Sequence, residues 1–237
     1  MKSIKLLFLF PVLTVSLLIT SSCSTCIDGQ GEVGKQNRKL DKFEKLDISV
    51  PADITIKKGN SFTMMIEAQK NIAGAIKSKV KRGTLHLTSS CFNTEKRVKI
   101  EITANTIKEI SVSGSARVKN YNVLNTDKAE LSLSGSGKIE TDVLTPETYV
   151  KIDGSGTIIV NGNTKKLNAI VEGSGKLMAL GLRTKEAFAE INGSGKIFTG
   201  AEELLKAKIS GSGIIQYTGS PKVRTKIDGT GKVSKID

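Results

Sequence analysis

Three columns of polar side chains recur about every 20 residues along the second half of this 237-residue chain, each with residue types that can do chemistry. The first holds Asp153 and Glu172, flanked by Ser134 and Asn192. On adjacent stacked strands two such carboxylates lie roughly 5 Å apart, a separation that suits glycoside hydrolysis. Aspartate is also a common corner residue, and the flanking Ser134 and Asn192 add no third acid, so catalysis by this pair is not expected.

The second column is Ser115, Ser136, Ser155, Ser174, Ser194 and Ser212, continued by Thr230. A hydroxyl nucleophile needs a base beside it. The one histidine, His86, stands between Leu85 and Leu87, far from the column in sequence. Stacked hydroxyls bonding one another or the backbone at a corner are the simpler reading. One histidine and two spare cysteines supply none of the usual zinc sets. Gly-Ser-Gly-Lys at a strand corner is not a phosphate loop, so neither metal nor cofactor is expected.

The third column is basic: Arg117, Lys138, Lys176, Lys196 and Lys232, interrupted by Thr157 and Ile214. It reads in two ways. A stripe of cations at strand spacing can track a linear polyanion, as spaced cations track phosphates. Alternatively Glu172 with Lys176 and Asp228 with Lys232 are local pairs across a turn, each worth about 0–1 kcal/mol; these pairs are the plainer account. Tryptophan is absent, and Tyr121, Tyr149 and Tyr217 fall at different offsets, so no aromatic column for stacking on sugars emerges.

What must position these columns is a repeat. Gly114, Gly135, Gly154, Gly173, Gly193, Gly211 and Gly229 are each followed by Ser or Thr, and all but the first by a further glycine. Two residues before the first glycine stand Val112, Leu133, Ile152, Val171, Ile191, Ile209 and Ile227; four after it stand Val118, Ile139, Ile158, Leu177, Ile197, Ile215 and Val233. Four before it the column is smaller, from Ile110 and Leu131 to Ala207 and Thr225. Apolar residues at every second position are the period of a strand with one buried face. A fixed period near 20 residues marks coils that bury their apolar sides on one another.

Glycine at the same place in each coil allows one corner to repeat, and Gly162, Gly181, Gly200 and Gly219 suggest a second. The expected fold is all-β: a right-handed parallel β-helix, or β-solenoid, with rungs of about 20 residues and a less regular β-rich N-terminal part. Seven rungs at strand spacing make a rod of roughly 34 Å.

Upstream, Lys2 and Lys5 precede an apolar run from Leu6 to Ile19 and then Thr20-Ser21-Ser22-Cys23. This is a secretory signal ending in a relaxed lipobox, with Thr20 where leucine is usual. The expected organisation is a lipoprotein signal peptide at 1–22, a lipidated tether at 23–37 beginning with Cys23, and a solenoid domain at 38–237. Within that domain, 38–106 forms irregular rungs or a cap and 107–237 forms the Gly-Ser ladder. Phe62–Ile66, Thr84–Thr88 and Val98–Ile102 alternate as strands; Asn71–Lys79 reads as a short helix or a crossover. A cap has a purpose, because the end of a solenoid exposes apolar side chains and unpaired strand edges.

Cys26 and Cys91 remain after lipidation of Cys23. In an oxidising envelope they are candidates for a disulfide pinning the tether to the body, against the alternative of two free thiols. Formal charge is +13, or +11 without Lys2 and Lys5. That excess favours anionic partners. Behind a lipoprotein signal these are an acidic polysaccharide, lipopolysaccharide, an anionic membrane surface or a host surface component rather than nucleic acid. The charged end Lys232–Asp237 covers the last rung only modestly, leaving a monomer or an end-to-end dimer.

The runs Arg38–Val50 (RKLDKFEKLDISV), Ile54–Gly59 (ITIKKG), Gly83–Leu87 (GTLHL) and Ile107–Ser115 (IKEISVSGS), in this order, resemble the putative auto-transporter adhesin, head GIN domain family across about residues 38–233. The resemblance implies a β-helical fold, a secreted or lipid-anchored protein of Bacteroidetes-type bacteria, and an adhesin role. It brings no catalytic or binding residues with it. The expectation is therefore a non-enzymatic outer-membrane lipoprotein, facing the periplasm or the cell surface and presenting an elongated binding surface. The alternatives are a periplasm-facing structural scaffold and, on fold analogy alone, a polysaccharide-degrading enzyme. Ser24 to Asp28 carries one acid and no lysine, so a charged surface-export signal is not evident.

Overall fold

The computed structural model describes residues 26–236. The expected signal peptide at 1–22 and the expected lipidation site Cys23 lie outside the described residues. The described chain forms a stack of about seven parallel coils with an antiparallel cap at one end.

Each Gly-Ser corner joins two strands. Those entering it form a leading sheet, and those leaving it form a trailing sheet. Register is unbroken along the ladder: Gly114 pairs with Gly135, then Gly154, Gly173, Gly193, Gly211 and Gly229. On the trailing side Val118, Ile139, Ile158, Leu177, Ile197, Ile215 and Val233 follow one another in the same way. The apolar columns point inward. From Val112 to Ile209 and from Val118 to Ile215 they are buried, and only at the last coil does Ile227 reach 43% exposure.

The N-terminal part is both rungs and cap. Lys45–Ser49 and Ala52–Lys58 form a coil that stacks parallel on Glu109–Gly114 and Arg117–Asn120. Thr84–Ser89 and Val98–Ala104, later in the chain, stack outside that coil, so spatial order inverts here. Antiparallel strands then close both sheets: Ile76–Lys81 on Thr84–Ser89, and Thr63–Gln69 on Val98–Ala104 with Val33–Lys39 beyond it.

A helix, Lys70–Ala75, links the two sheets across this end. Six residues without a side-chain N-cap form a weak helix alone; burial of Ile72 and Ala73 holds it. Arg38 donates to the carbonyls of Ala73 and Ile76, both at 2.8 Å, and to Ser78 Oγ at 3.1 Å. Partial burial lowers its pKa from the ordinary value.

Two expectations are corrected. Residues 23–37 do not form a tether over their described length. Val33–Lys39 adds an antiparallel strand to Thr63–Gln69, and Ile27–Asp28 pairs with Phe92–Asn93. Nor do the second glycines form one column. Gly162 and Gly219 have positive φ, but Gly162 stacks between Val143 and Leu182, and an added Cβ at Gly219 would meet Ala201. That corner shifts from coil to coil because coil lengths differ.

Polar side chains inside the return segments satisfy one another. Asn120 Nδ2 donates to Thr141 Oγ1 at 2.9 Å, and Asn122 Nδ2 donates to the carbonyl of Asn105 at 3.0 Å. Thr145, Thr148 and Thr164 form a hydroxyl cluster. Among the described residues no buried side-chain nitrogen or oxygen lacks a partner.

Candidate functional site

The corner sets where every outward column lies. At Gly154 φ is +116°, and an added Cβ would sit 2.8 Å from the carbonyl oxygen of Gly135 in the coil before. The second glycine answers to a side chain: a Cβ at Gly175 would lie 2.4 Å from Ile152 Cγ2. Backbone N–H groups carry the ladder around the bend, as in Ser155 to the carbonyl of Gly135 and Thr157 to that of Gly137, at 3.0 and 3.1 Å. The corner therefore continues the ladder from coil to coil through the residues on either side of the second glycine.

Asp153 and Glu172 do stand opposite one another in adjacent coils. Glu172, however, pairs with Lys151 at 3.0 Å. The expected turn-spanning pair of Glu172 with Lys176 does not form. Its competitor on the neighbouring strand of the same sheet is closer than a partner around the bend, and Glu172 holds the Lys151 ammonium above its ordinary pKa through the hydrogen bond and charge. Asp228 and Lys232 likewise form no ion pair among the described residues.

Arg117, Lys138, Lys176, Lys196 and Lys232 line up in register with Thr157 and Ile214 in the gaps. The stripe is partly spent. Lys138 is bound to Glu140 at 3.2 Å, and Lys176 lies over the Phe198 ring, 5.0 Å from its centroid.

The serine column lies along the corner edge, where Thr230 Oγ1 donates to Ser212 Oγ at 3.1 Å. His86 is bonded to Asp47 at 2.9 Å on the cap coils. Cys26 and Cys91 form a disulfide that clamps the first short strand to the body. Among the described residues no group of three or more His, Cys, Asp and Glu is placed to hold a metal, and no helix is long and apolar enough to cross a membrane.

The sequence reading missed the outer face of the leading sheet. Five residues before each corner glycine the register runs Glu109, Glu130, Tyr149, Asn168, Phe188, Lys206, Arg224. Tyr149 and Phe188 thus share a column, a signal visible only when phenylalanines are aligned together with tyrosines. Lys166 and Lys206 lie 5.0 and 4.8 Å from the Phe188 centroid, and Lys128 lies 5.7 Å from that of Tyr149. Tyr149, Phe188, Lys166 and Lys206 line a shallow groove of about 630 Å³ together with Ile170, Arg224 and Lys226.

Both of its acids are hydrogen-bonded, Glu190 to a cation and Glu147 to a neutral amide. Glu190 accepts from Lys208 at 2.7 Å, which holds its carboxyl below the ordinary value, and Glu147 accepts from Asn168 at 2.8 Å. Lys166, Lys206, Arg224 and Lys226 form no ion pair among the described residues. Nearer the cap the same face is balanced by Lys45 with Glu109 and Lys128 with Glu130.

The outer face of the leading sheet thus carries a groove across stacked strands that ends in cations without ion partners. The family model for the putative auto-transporter adhesin, head GIN domain, matches residues 42–221. The chain belongs to this family. A putative adhesin from Bacteroides fragilis NCTC 9343 is similar in structure, with TM-score 0.83 and 26% identity, over 89% of this chain and 100% of that one. A putative lipid binding protein from Parabacteroides distasonis ATCC 8503 gives TM-score 0.76 at 22% identity, over 90% and 100%. A putative adhesin from Parabacteroides merdae ATCC 43184 gives 0.72 at 22%, over 89% and 99%. A search of curated proteins gave no match. Membership of the head GIN family points to the cell envelope or surface.

Proposed function

We propose that this head GIN protein is a non-enzymatic, lipid-anchored binding module of the cell envelope. Cys23 holds it at the outer membrane, and the rod is presented for adhesion to a host or community polymer. The observation that carries this reading is the outer face of the leading sheet. There, side chains of successive coils stand in register and unpaired cations collect at one end. Such a face contacts a partner along its length. Catalysis of glycan cleavage would instead need acids converging on one bond, and Glu172, one of the two candidates, is committed to Lys151.

The test is protease accessibility of the protein on intact cells compared with lysed cells, with a periplasmic protein as control. Digestion on intact cells is the expected result. Protection until lysis overturns display and leaves the periplasmic scaffold as the reading.

A further inference from the structure

We infer that the groove centred on Phe188 is a binding site for a linear anionic glycan, one bearing carboxylate or sulfate groups, lying across the strands along the rod axis. The inference rests on the adhesive reading above and names its site and ligand class.

Four observations carry it. First, the Phe188 ring is half-buried and has an ammonium at about 5 Å on Lys166 and another on Lys206. A ring quadrupole attracts cations, so the phenyl group holds two long, flexible side chains in place and lowers the entropic cost of engaging an anion. Second, Lys206, Arg224 and Lys226 stand on two adjacent coils with no acid spent on them, whereas the cap half of the same face is neutralised by its own ion pairs. On this face the cations without ion partners thus lie at the groove.

Third, the groove is extended. From Tyr149 to Arg224 it crosses five stacked strands, about 19 Å at ordinary strand spacing, which fits a run of several sugar units and exceeds a single ion. Fourth, its apolar floor is partly buried: Ile170, on the strand between those of Tyr149 and Phe188, lines the groove with them and is half-buried as they are. A membrane-inserting surface needs apolar side chains that protrude; a partly buried floor with a cationic rim suits a chain whose ring faces are apolar and whose substituents are charged.

The other basic column is less suited. Lys138 is engaged by Glu140, and Thr157 and Ile214 interrupt the charge. It supplies the control.

The experiment measures binding of dextran sulfate, polygalacturonate, neutral dextran and phosphatidylglycerol vesicles to the purified protein by titration calorimetry. Both polyanions bind and neutral dextran does not. The double variant Lys206→Gln/Arg224→Gln weakens binding about tenfold, and Phe188→Leu, which keeps every charge, weakens it severalfold. The double variant Lys196→Gln/Lys232→Gln stays within about twofold of the parent.

Equal losses from the two double variants would mean diffuse attraction by net charge and overturn the site. So would an unaltered Phe188→Leu protein, or binding to vesicles with none to polysaccharide. The lysine and arginine variants alter exposed side chains, so they remain decisive if Phe188→Leu lowers stability. Groove binding by a protein that is protected on intact cells would keep this site and remove adhesion; digestion on cells without polyanion binding would do the reverse.

Discussion

A Cβ added at Gly114, the corner nearest the cap, would meet nothing within 4 Å, whereas one at Gly173, deep in the ladder, would lie 2.8 Å from the carbonyl oxygen of Gly154. The two glycines have the same conformation, with φ of +92° and +100°. They differ in what is stacked beneath. Gly114 follows a coil that turns through Ser49-Val50-Pro51, and Gly173 follows a copy of itself. The first coil also carries a buried Ala116 where later coils carry glycine. The ladder is held by identity between neighbours, and the cap by particular contacts such as Arg38 and the disulfide.

The sharpest way to break this comparison is substitution at the two corners. Gly173→Val places a β-branched side chain at positive φ against backbone, at an expected cost of about 4 kcal/mol or more. Gly114→Ala keeps only the conformational strain, about 1 kcal/mol. Urea denaturation of both proteins reads the difference; equal costs would mean that stacking is not what demands glycine.

Next comes the clamp. Replacing Cys26 and Cys91 by serine is expected to cost about 3 kcal/mol. Hydrogen exchange should show the loss over residues 26–39 and the strand at Phe92, with the ladder from Gly135 onward still protected. Uniform loss along the rod would show that cap and ladder unfold as one unit.

Arg38→Ala is smaller. It removes the side-chain donor to the carbonyls of Ala73, in the helix, and of Ile76, where the next strand begins, at about 2 kcal/mol, and proteolysis near residues 70–81 should report it.

The smallest effect is electrostatic. Glu190 is held below its ordinary 4.5 chiefly by the hydrogen bond from Lys208, and Glu140 and Glu44 chiefly by those from Lys138 and Lys108. A carboxyl whose folded pKa is depressed contributes stability above its unfolded pKa, and that contribution is lost as pH falls through the folded value. Stability should therefore be flat above about pH 5 and decline gently below 4.5. The decline should be slight, since all three acids are near the surface and surface pairs contribute about 0–1 kcal/mol each. Glu190→Gln should make it slighter still, as read from denaturation midpoints across that range.

The legibility of the cap and ladder in the sequence follows the same division. The inward columns and the Gly-Ser corners could be read directly, because each repeat states them again. Val33–Lys39 could not: it joins its neighbour through backbone bonds alone, with almost every side chain exposed, so it carries no apolar alternation. The second corner misled because Gly162 and Gly219 answer to local backbone angles while their stacked neighbours are Val143, Leu182 and Ala201. The partner of Glu172 was misassigned because proximity along the chain is a poor guide where the next coil lies about 4.8 Å away.

The amino-acid sequence by itself determined the coil, its period, its buried columns and the family, since all of these depend on a pattern repeated within a short window. Tertiary structure alone decided the inverted order of the cap coils, the cross-coil ion pairs, and the assembly of Phe188, Lys206 and Arg224 into one groove. The physical reason is that stacking makes neighbours of residues separated by a whole coil, and which side chains then meet depends on register summed over every intervening turn.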